Sequence, residues 1–369
     1  MNVPKGVSAA QWASCFSSGI QEVIILPTEH CNFRCTYCYE DFKIGRMPDR
    51  VQRGIENLLS MRAPKLHLLR FSWFGGEPLL AWDIILRLSR HAFSLSQQHG
   101  FRLSGGLTTN GYLLSKDLAA ELISLKQDRF QISIDGWQEG HDQTRRMANG
   151  QTTFDSIWAN LLTLRSLQEQ FEVALRLHLT SSNTASMKEL CIALAREFGS
   201  DSRFSMNFQD VRDLGGTGGP RVIPQTTQEV RKQVDYLTRV LIANNHDTTE
   251  RISNNFDTVG ESAGSRSADD IRREETYICY ASKPNSILIR ANGRLGKCTV
   301  MFDNPANDIG EILEDGTLAI DNPRLRRWFH GLESMDLDAL ACPAMALRNV
   351  DNLLDAPGNF PIQIRAVNQ

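Results

Sequence analysis

Between residues 23 and 242 the chain alternates short apolar runs with longer segments whose apolar residues recur at helical spacing. The stretches 23–26, 66–74, 102–108, 130–134, 173–179 and 204–208 read as strands. Those at 49–61, 82–96, 115–125, 152–167, 187–198 and 225–242 read as helices, with Asp49 and Ser115 as N-caps. Repeated strand–helix units demand a parallel sheet with helices packed outside it. Six such units predict an α/β fold, a partial (β/α)6 TIM-like barrel, in which functional groups gather at the C-terminal ends of the strands. A hydrophobic content of 41% is enough for that core.

The end of the first strand carries the densest chemistry. Pro27 stops the strand, and Cys31-Asn32-Phe33-Arg34-Cys35-Thr36-Tyr37-Cys38 follows on a loop. Three thiolates on one loop can hold three corners of a cubane iron–sulfur cluster and leave the fourth iron open. A disulfide framework suits a small, secreted, cysteine-dense chain, which 369 residues with eight cysteines and no signal peptide do not resemble. A structural zinc site takes four ligands, often in paired CxxC knuckles, and no fourth is evident nearby. The spacing favours a cluster, with zinc and free thiols as the alternatives. Cys15 and Cys191 read as core thiols.

Other strand ends are also unusual. Phe74-Gly75-Gly76-Glu77-Pro78 follows the second strand, and its glycines would let the backbone approach a ligand. Thr108-Thr109-Asn110-Gly111 follows the third. Ser133-Ile134-Asp135-Gly136 closes the fourth, with His141-Asp142-Gln143-Thr144-Arg145 behind it. Plain turns and a surface ion pair are the bland readings of these segments. His178 and Asn207, on strands five and six, are further candidates to point inward. The 214–220 stretch, rich in glycine, reads as a flexible loop.

A second group of cysteines lies near the C-terminus. Cys279 is followed by thirteen residues, Gly293, four residues and Cys298. Strands at 286–289 and 297–301 would form a hairpin through Asn292-Gly293 and bring the two thiols together. Cys342 stands alone in Ala341-Cys342-Pro343-Ala344. The expected organisation is an N-terminal extension over 1–20, a barrel over 21–245, a linker or lid over 246–276, and a C-terminal unit with a tail over 277–369. The first 20 residues are too few for a separate leader-binding domain.

CxxxCxxC with an aromatic residue, Tyr37, before its last cysteine resembles the radical SAM superfamily. The resemblance implies a [4Fe-4S] cluster on Cys31, Cys35 and Cys38, the catalytic centre, whose open iron binds S-adenosyl-L-methionine. It implies cofactor contacts from Tyr37, Gly75, Gly76, Glu77, Thr109, Asn110, Ser133, Asp135 and Arg145, with Glu77 on the methionine amino group and Arg145 on the carboxylate. The second cysteine group resembles the SPASM/twitch appendage of radical SAM peptide maturases. It departs from a full SPASM domain in keeping only Cys342 of the later cysteine block, so one auxiliary iron–sulfur cluster on Cys279, Cys298 and Cys342 is expected. The implied function is oxidoreductase-type maturation of a ribosomally synthesised precursor peptide by hydrogen abstraction and crosslinking, through a C–C cyclophane or thioether bond. An anaerobic sulfatase-maturing enzyme and a small-molecule dehydrogenase are the alternatives. The first of these is disfavoured by Thr299, where such enzymes carry an acidic residue after the GX4C cysteine. Implied partners are an electron donor such as flavodoxin or ferredoxin and a separate leader-binding protein.

A net charge of −3 gives no electrostatic case for nucleic acid or anionic membrane. No apolar run approaches the length of a spanning helix. A cytoplasmic protein is expected, in a compartment that keeps thiols reduced.

Overall fold

The computed structural model describes residues 3–4, 6–216, 218–254 and 277–348. Strands β1 (Ile20–Ile25), β2 (Leu68–Trp73), β3 (Arg102–Thr109), β4 (Gln127–Ile134), β5 (Glu172–Leu179) and β6 (Phe204–Asp210) lie side by side in chain order, every neighbouring pair parallel. This is the expected partial barrel. Its helices include Asp49–Arg62, Trp82–His99, Lys116–Ser124, Phe154–Arg165, Thr184–Phe198 and Thr227–Asn244.

The strands alternate as a sheet with two unlike faces requires. Val23, Ile25, Phe71, Trp73, Phe130, Ile132, Val173, Leu175, Leu177, Met206 and Phe208 are all buried in the main core. The other face is polar along β3 to β6, where Thr108 pairs in register with Gln131, and Ser133 with Arg176, which pairs in turn with Asn207, while at β1 it carries a small apolar cluster of Ile24, Leu26 and Leu288. Thr108 Oγ1 and Gln131 Nε2 are buried there with no hydrogen-bond partner. Unpaired polar groups inside a fold mark space that water or a ligand fills.

Helix ends follow local chemistry. Ser115 accepts from Leu118 N at 3.3 Å, the expected cap. Asp49 is not a cap: Pro48 occupies that position without a side-chain bond, and Asp49 sits in the first helical turn. The 1–20 extension contains a helix, Ala9–Phe16, whose Cys15 is core. Cys191 is core as well.

The C-terminal unit does not hang free. Strand β7 (Ile252–Asn254) extends the sheet past β6, in parallel. At the opposite edge β8 (Ser286–Ile289) pairs parallel with β1, from Glu22↔Ser286 to Ile25↔Ile289. Then β9 (Arg294–Gly296), β10 (Gly310–Ile312) and β11 (Leu318–Ile320) continue antiparallel. One eleven-stranded sheet results, in the order β11-β10-β9-β8-β1-β2-β3-β4-β5-β6-β7.

Two expectations are corrected. The hairpin through Asn292-Gly293 forms, but its second strand ends at Gly296, before the expected 297–301. Asn307 Oδ1 takes the amides of Lys297 (2.8 Å) and Cys298 (3.0 Å), so those residues leave the ladder. The beginning of the expected linker, 246–254, is a short helix and β7, with Arg251 donating to the carbonyls of Phe198, Gly199, Asp201 and Phe204. The rest of the linker and the C-terminal tail lie outside the described residues. No helix among the described residues is long and apolar enough to cross a membrane.

Glu29, in the loop after β1, is 2% exposed and takes a two-pronged bond from Arg290, just past β8, at 2.6 and 3.1 Å. The pair fastens the C-terminal unit to the loop that carries the cysteines. Removing one partner of a buried pair leaves the other charge uncompensated. Arg290→Met should therefore cost about 3 kcal/mol in urea denaturation of the metal-free protein.

Candidate active site

The cysteine loop is ordered by backbone pairing with residues 144–148, the segment that contains Arg145. Arg34 N donates to Arg146 O at 2.8 Å, Thr36 N to Thr144 O at 2.9 Å, and Ala148 N to Asn32 O at 2.7 Å. A bridge joins Phe33 to Met147. Residues far apart in sequence thus form an antiparallel rail that orders the segment carrying Cys31, Cys35 and Cys38.

The paired glycines serve this loop. Gly75 has φ +123°, and a Cβ there would sit 2.2 Å from Thr28 O; one on Gly76 would sit 2.5 Å from His30 O. Their freedom lets the turn after β2 lie against residues 28–30, and Glu77 N donates to His30 O at 2.9 Å. The close approach is to the chain itself.

Glu77 is fully buried and joins three strand ends. Its Oε1 accepts from Leu79 N (2.9 Å) and Thr109 Oγ1 (2.7 Å), and its Oε2 from Asn110 N (2.7 Å). Burial pushes its pKa up, against these donors. Asn110 Nδ2 then donates to Asn32 Oδ1 at 2.8 Å, inside the cysteine motif. The Gly-Gly-Glu, Thr-Asn-Gly and cysteine segments are therefore one hydrogen-bonded unit.

A second hub surrounds Asp135, which is fully buried at the end of β4. Its carboxylate accepts from Tyr37 OH (2.7 Å to Oδ2) and Thr144 Oγ1 (2.6 Å), and His178 Nδ1 stands 3.1 Å from Oδ1. Arg145 Nη1 donates to Tyr37 OH at 2.8 Å and lies 4.0 Å from Asp135. Burial alone would raise the Asp135 pKa, but the His178 hydrogen bond and the Arg145 charge hold it below the carboxylate range. Arg145 Nε is buried without a partner. His141, fully buried between Asp135 N and Thr153 Oγ1, is drawn down to about 4 by burial, which keeps it neutral. Asp142 Oδ1 accepts from Thr153 N and Phe154 N and so fixes the start of the Phe154–Arg165 helix.

Ser133, 7% exposed, lies on the polar face of β4. His178 joins the Asp135 hub, whereas Asn207 Nδ2 donates to Ser253 Oγ of β7 at 3.1 Å. The glycine-rich stretch expected to be a flexible loop packs on the cysteine loop: Gly218 N donates to Cys38 O at 3.0 Å, and a Cβ there would meet that oxygen at 2.5 Å.

Among the described residues no group of three or more His, Cys, Asp or Glu side chains is placed to hold a metal ion. By donor chemistry, three cysteines on one ordered loop fit the three thiolate corners of a cubane. A cubane is wider than a single ion and takes its thiolates at separate corners. Burial, then the charge of Glu77, raises the Cys31 pKa, and burial with the neighbouring Cys35 pushes Cys38 up to about 12. The metal-free thiols stay protonated, and a cation bound here displaces those protons.

Cys279 and Cys298 are each 6% exposed, and Cys342 is half-buried. The three are near enough to feel one another: burial, then mutual repulsion that includes Cys342, pushes Cys279 to about 11 and Cys298 to about 12. Cys279 N donates to Leu340 O at 2.9 Å, which ties its segment to the short helix before Cys342. Tyr280 OH and Thr299 Oγ1 are 3.1 Å apart beside them.

Residues 25–179 match the radical SAM superfamily. The chain carries a radical SAM domain. Such a domain works with a [4Fe-4S] cluster and S-adenosylmethionine. Over 155 residues the chain is 26% identical to a serine-type anaerobic sulfatase-maturating enzyme of Klebsiella aerogenes, a match covering 40% of this chain and 37% of that one. It is 30% identical over 138 residues to a GTP 3′,8-cyclase of Lactiplantibacillus plantarum, covering 35% and 38%. The match thus spans well under half the length of these relatives. Among solved structures, native anSMEcpe with bound AdoMet and Kp18Cys peptide has a TM-score of 0.62 at 17% identity, covering 87% of this chain and 88% of that one. Streptococcus suis SuiB bound to precursor peptide SuiA has a TM-score of 0.58 at 15% identity, covering 89% and 69%. The radical SAM fold therefore extends through the C-terminal unit, beyond the segment alignable by sequence.

Four residues of the radical SAM domain and its appendage have no forecast in the sequence: Asn32, Glu29, Asn307 and Lys297. Asn32 lies inside the cysteine motif, the one available signal; the others work through partners more than ten residues away or through backbone. Glu77→Ala should leave two amides and a hydroxyl unpaired in the interior, costing about 3 kcal/mol in chemical denaturation of the metal-free protein. Glu121→Ala, which removes an exposed partner of Arg90, should change it by less than about 0.5 kcal/mol.

Proposed function

We propose that this chain is a radical S-adenosylmethionine enzyme that modifies a ribosomally synthesised peptide, forming a C–C or thioether crosslink. The observation that carries the reading is the joining of four strand-end motifs into one site through Glu77, Asn110, Asp135 and Arg145. Cys31, Cys35 and Cys38 would hold the [4Fe-4S] cluster. When bound, cluster and S-adenosylmethionine supply a 5′-deoxyadenosyl radical that removes hydrogen from a peptide carbon.

The protein's own contribution is placement and dryness. Glu77, its two oxygens engaged by three donors beside the cysteine loop, would face an ammonium group there. Arg145, with Nε unpaired, offers a cation to a carboxylate. Gly75, Gly76, Thr109, Asn110 and Ser133 shape the same wall, and Tyr37 and Asp135 hold Arg145 in place. Cys279, Cys298 and Cys342 would hold one auxiliary iron–sulfur cluster that accepts the electron left on the product. Flavodoxin or ferredoxin would supply the electron for cleavage.

Peptide as substrate is supported by fold neighbours solved with peptides bound. Sulfatase maturation is the second reading, favoured by the sulfatase-maturating relative. Thr299 weighs against it: 4% exposed and bonded to Tyr280, it offers no carboxylate as a base.

Cys31→Ala, Cys35→Ala or Cys38→Ala should each abolish 5′-deoxyadenosine formation from S-adenosylmethionine and dithionite, followed by chromatography. Cys279→Ala and Cys298→Ala should spare that product yet yield no mass change in a co-expressed short peptide encoded beside the gene. Full peptide conversion by the latter pair would remove the auxiliary cluster from the account.

A further inference from the structure

His178 lies near the end of β5, on the face that carries Arg176 two residues earlier, in register with Gln209 of β6. Its Nδ1 stands 3.1 Å from Asp135 Oδ1 and 3.0 Å from Tyr37 OH. A guanidinium only donates, so Tyr37 OH accepts from Arg145 Nη1 at 2.8 Å. The single Tyr37 proton goes to Asp135 Oδ2 at 2.7 Å, where Thr144 Oγ1 also donates at 2.6 Å. Asp135, held below the carboxylate range, is ionised and only accepts. His178 Nδ1 therefore carries the ring proton and donates it to Oδ1.

That proton leaves Nε2 as a bare acceptor. No hydrogen bond reaches Nε2 among the described residues, and the side chain keeps 11% of its surface open. Burial draws the His178 pKa below its ordinary value, against the pull of Asp135 and with the help of the Arg176 and Arg145 charges. The ring is therefore neutral near pH 7. The titratable and charged groups that face it are Tyr37, Asp135, Arg145, Arg176 and His141. His141 is held at both nitrogens, by Asp135 N and Thr153 Oγ1. An imidazole backed by a carboxylate on one nitrogen and open on the other is built as a general base: the carboxylate fixes the tautomer and stabilises the cation that forms.

We infer that His178 Nε2 is the proton acceptor of the peptide reaction, taking the proton released when the substrate radical closes its new bond. The inference rests on the peptide-modifying reading above. A carbon that has given its hydrogen atom to the 5′-deoxyadenosyl radical joins a thiol or an aromatic C–H. A C–S or C–C bond forms, the S–H or C–H bond breaks, and one proton and one electron leave. The electron passes to the auxiliary iron–sulfur cluster of that reading. The proton passes to Nε2, and the resulting imidazolium is paired with Asp135. Thr299 offers no carboxylate for this proton, and Glu77 and Asp135 are engaged by their own donors.

His178→Asn keeps an N–H donor where Nδ1 meets Asp135 and removes the basic nitrogen at Nε2. The first readout is crosslinked peptide per 5′-deoxyadenosine formed, with reconstituted enzyme and the short peptide encoded beside the gene. A general base contributes enough to rate that this ratio should fall about 100-fold. A residue that merely positions Tyr37 and Arg145 would lower both products together, so an unchanged ratio overturns the inference alone. The second readout needs no cluster, cofactor or peptide. It is long-range ¹H–¹⁵N NMR of metal-free, histidine-labelled native protein, the variant's missing signal assigning His178. A neutral ring with its proton on Nδ1 at pH 7 is expected; a proton on Nε2, or on both nitrogens, overturns the inference. His178→Gln, equally without a basic nitrogen, serves in both measurements if the Asn variant fails to fold. Native enzyme that leaves the peptide unconverted overturns the peptide reading and this inference together.

Discussion

The site depends on one buried carboxylate. Glu77 comes from the turn after β2, yet its three donors lie in its own turn and at the end of β3, and through Asn110 it reaches the cysteine loop after β1. A carboxylate in an apolar interior is tolerable only with each oxygen engaged. Satisfying it forces three strand ends into one register. The same requirement explains the glycines: only residues without a Cβ let the turn approach the carbonyls of Thr28 and His30 closely enough to deliver Glu77.

Asp135 does the matching work on the other side. It fixes Tyr37, Thr144 and His178 around the cysteine motif, and through Tyr37 it orients Arg145. The site therefore has a buried carboxyl group at Glu77 and a guanidinium at Arg145, each linked by hydrogen bonds to the cysteine motif, through Asn110 and Tyr37 respectively. In the proposed function these two groups would face the ammonium and the carboxylate at the amino-acid end of S-adenosylmethionine.

Much of this was legible in residue order. Short apolar runs separated by helical segments specify the parallel strands, and strand ends 31–38, 74–78, 108–111 and 133–136 stand out because their residues fit neither pattern. The two-dimensional pattern was less complete. Pairing of β8 with β1 is a contact over more than 260 residues, and nothing in either strand announces its partner. The end of β9 depends on Asn307, a side chain ten residues ahead of Lys297 that competes with the ladder. Strand β7 hides in a polar stretch because a three-residue edge strand needs little apolar surface. The glycines near 215 suggested looseness, whereas they permit close packing against Cys38. In each case a long-range partner decided the outcome, and local propensity does not encode long-range partners.

The central claim is that the N-terminal thiols hold a cubane with one coordination place left for S-adenosylmethionine. The direct measurement is the EPR spectrum of anaerobically reconstituted, reduced C279A/C298A/C342A protein before and after S-adenosylmethionine is added. The account predicts about four irons per chain, as a [4Fe-4S] cluster with three cysteine ligands requires, and a reduced-cluster signal whose line shape changes on addition. A protein with no such signal, or a signal indifferent to S-adenosylmethionine, would contradict it.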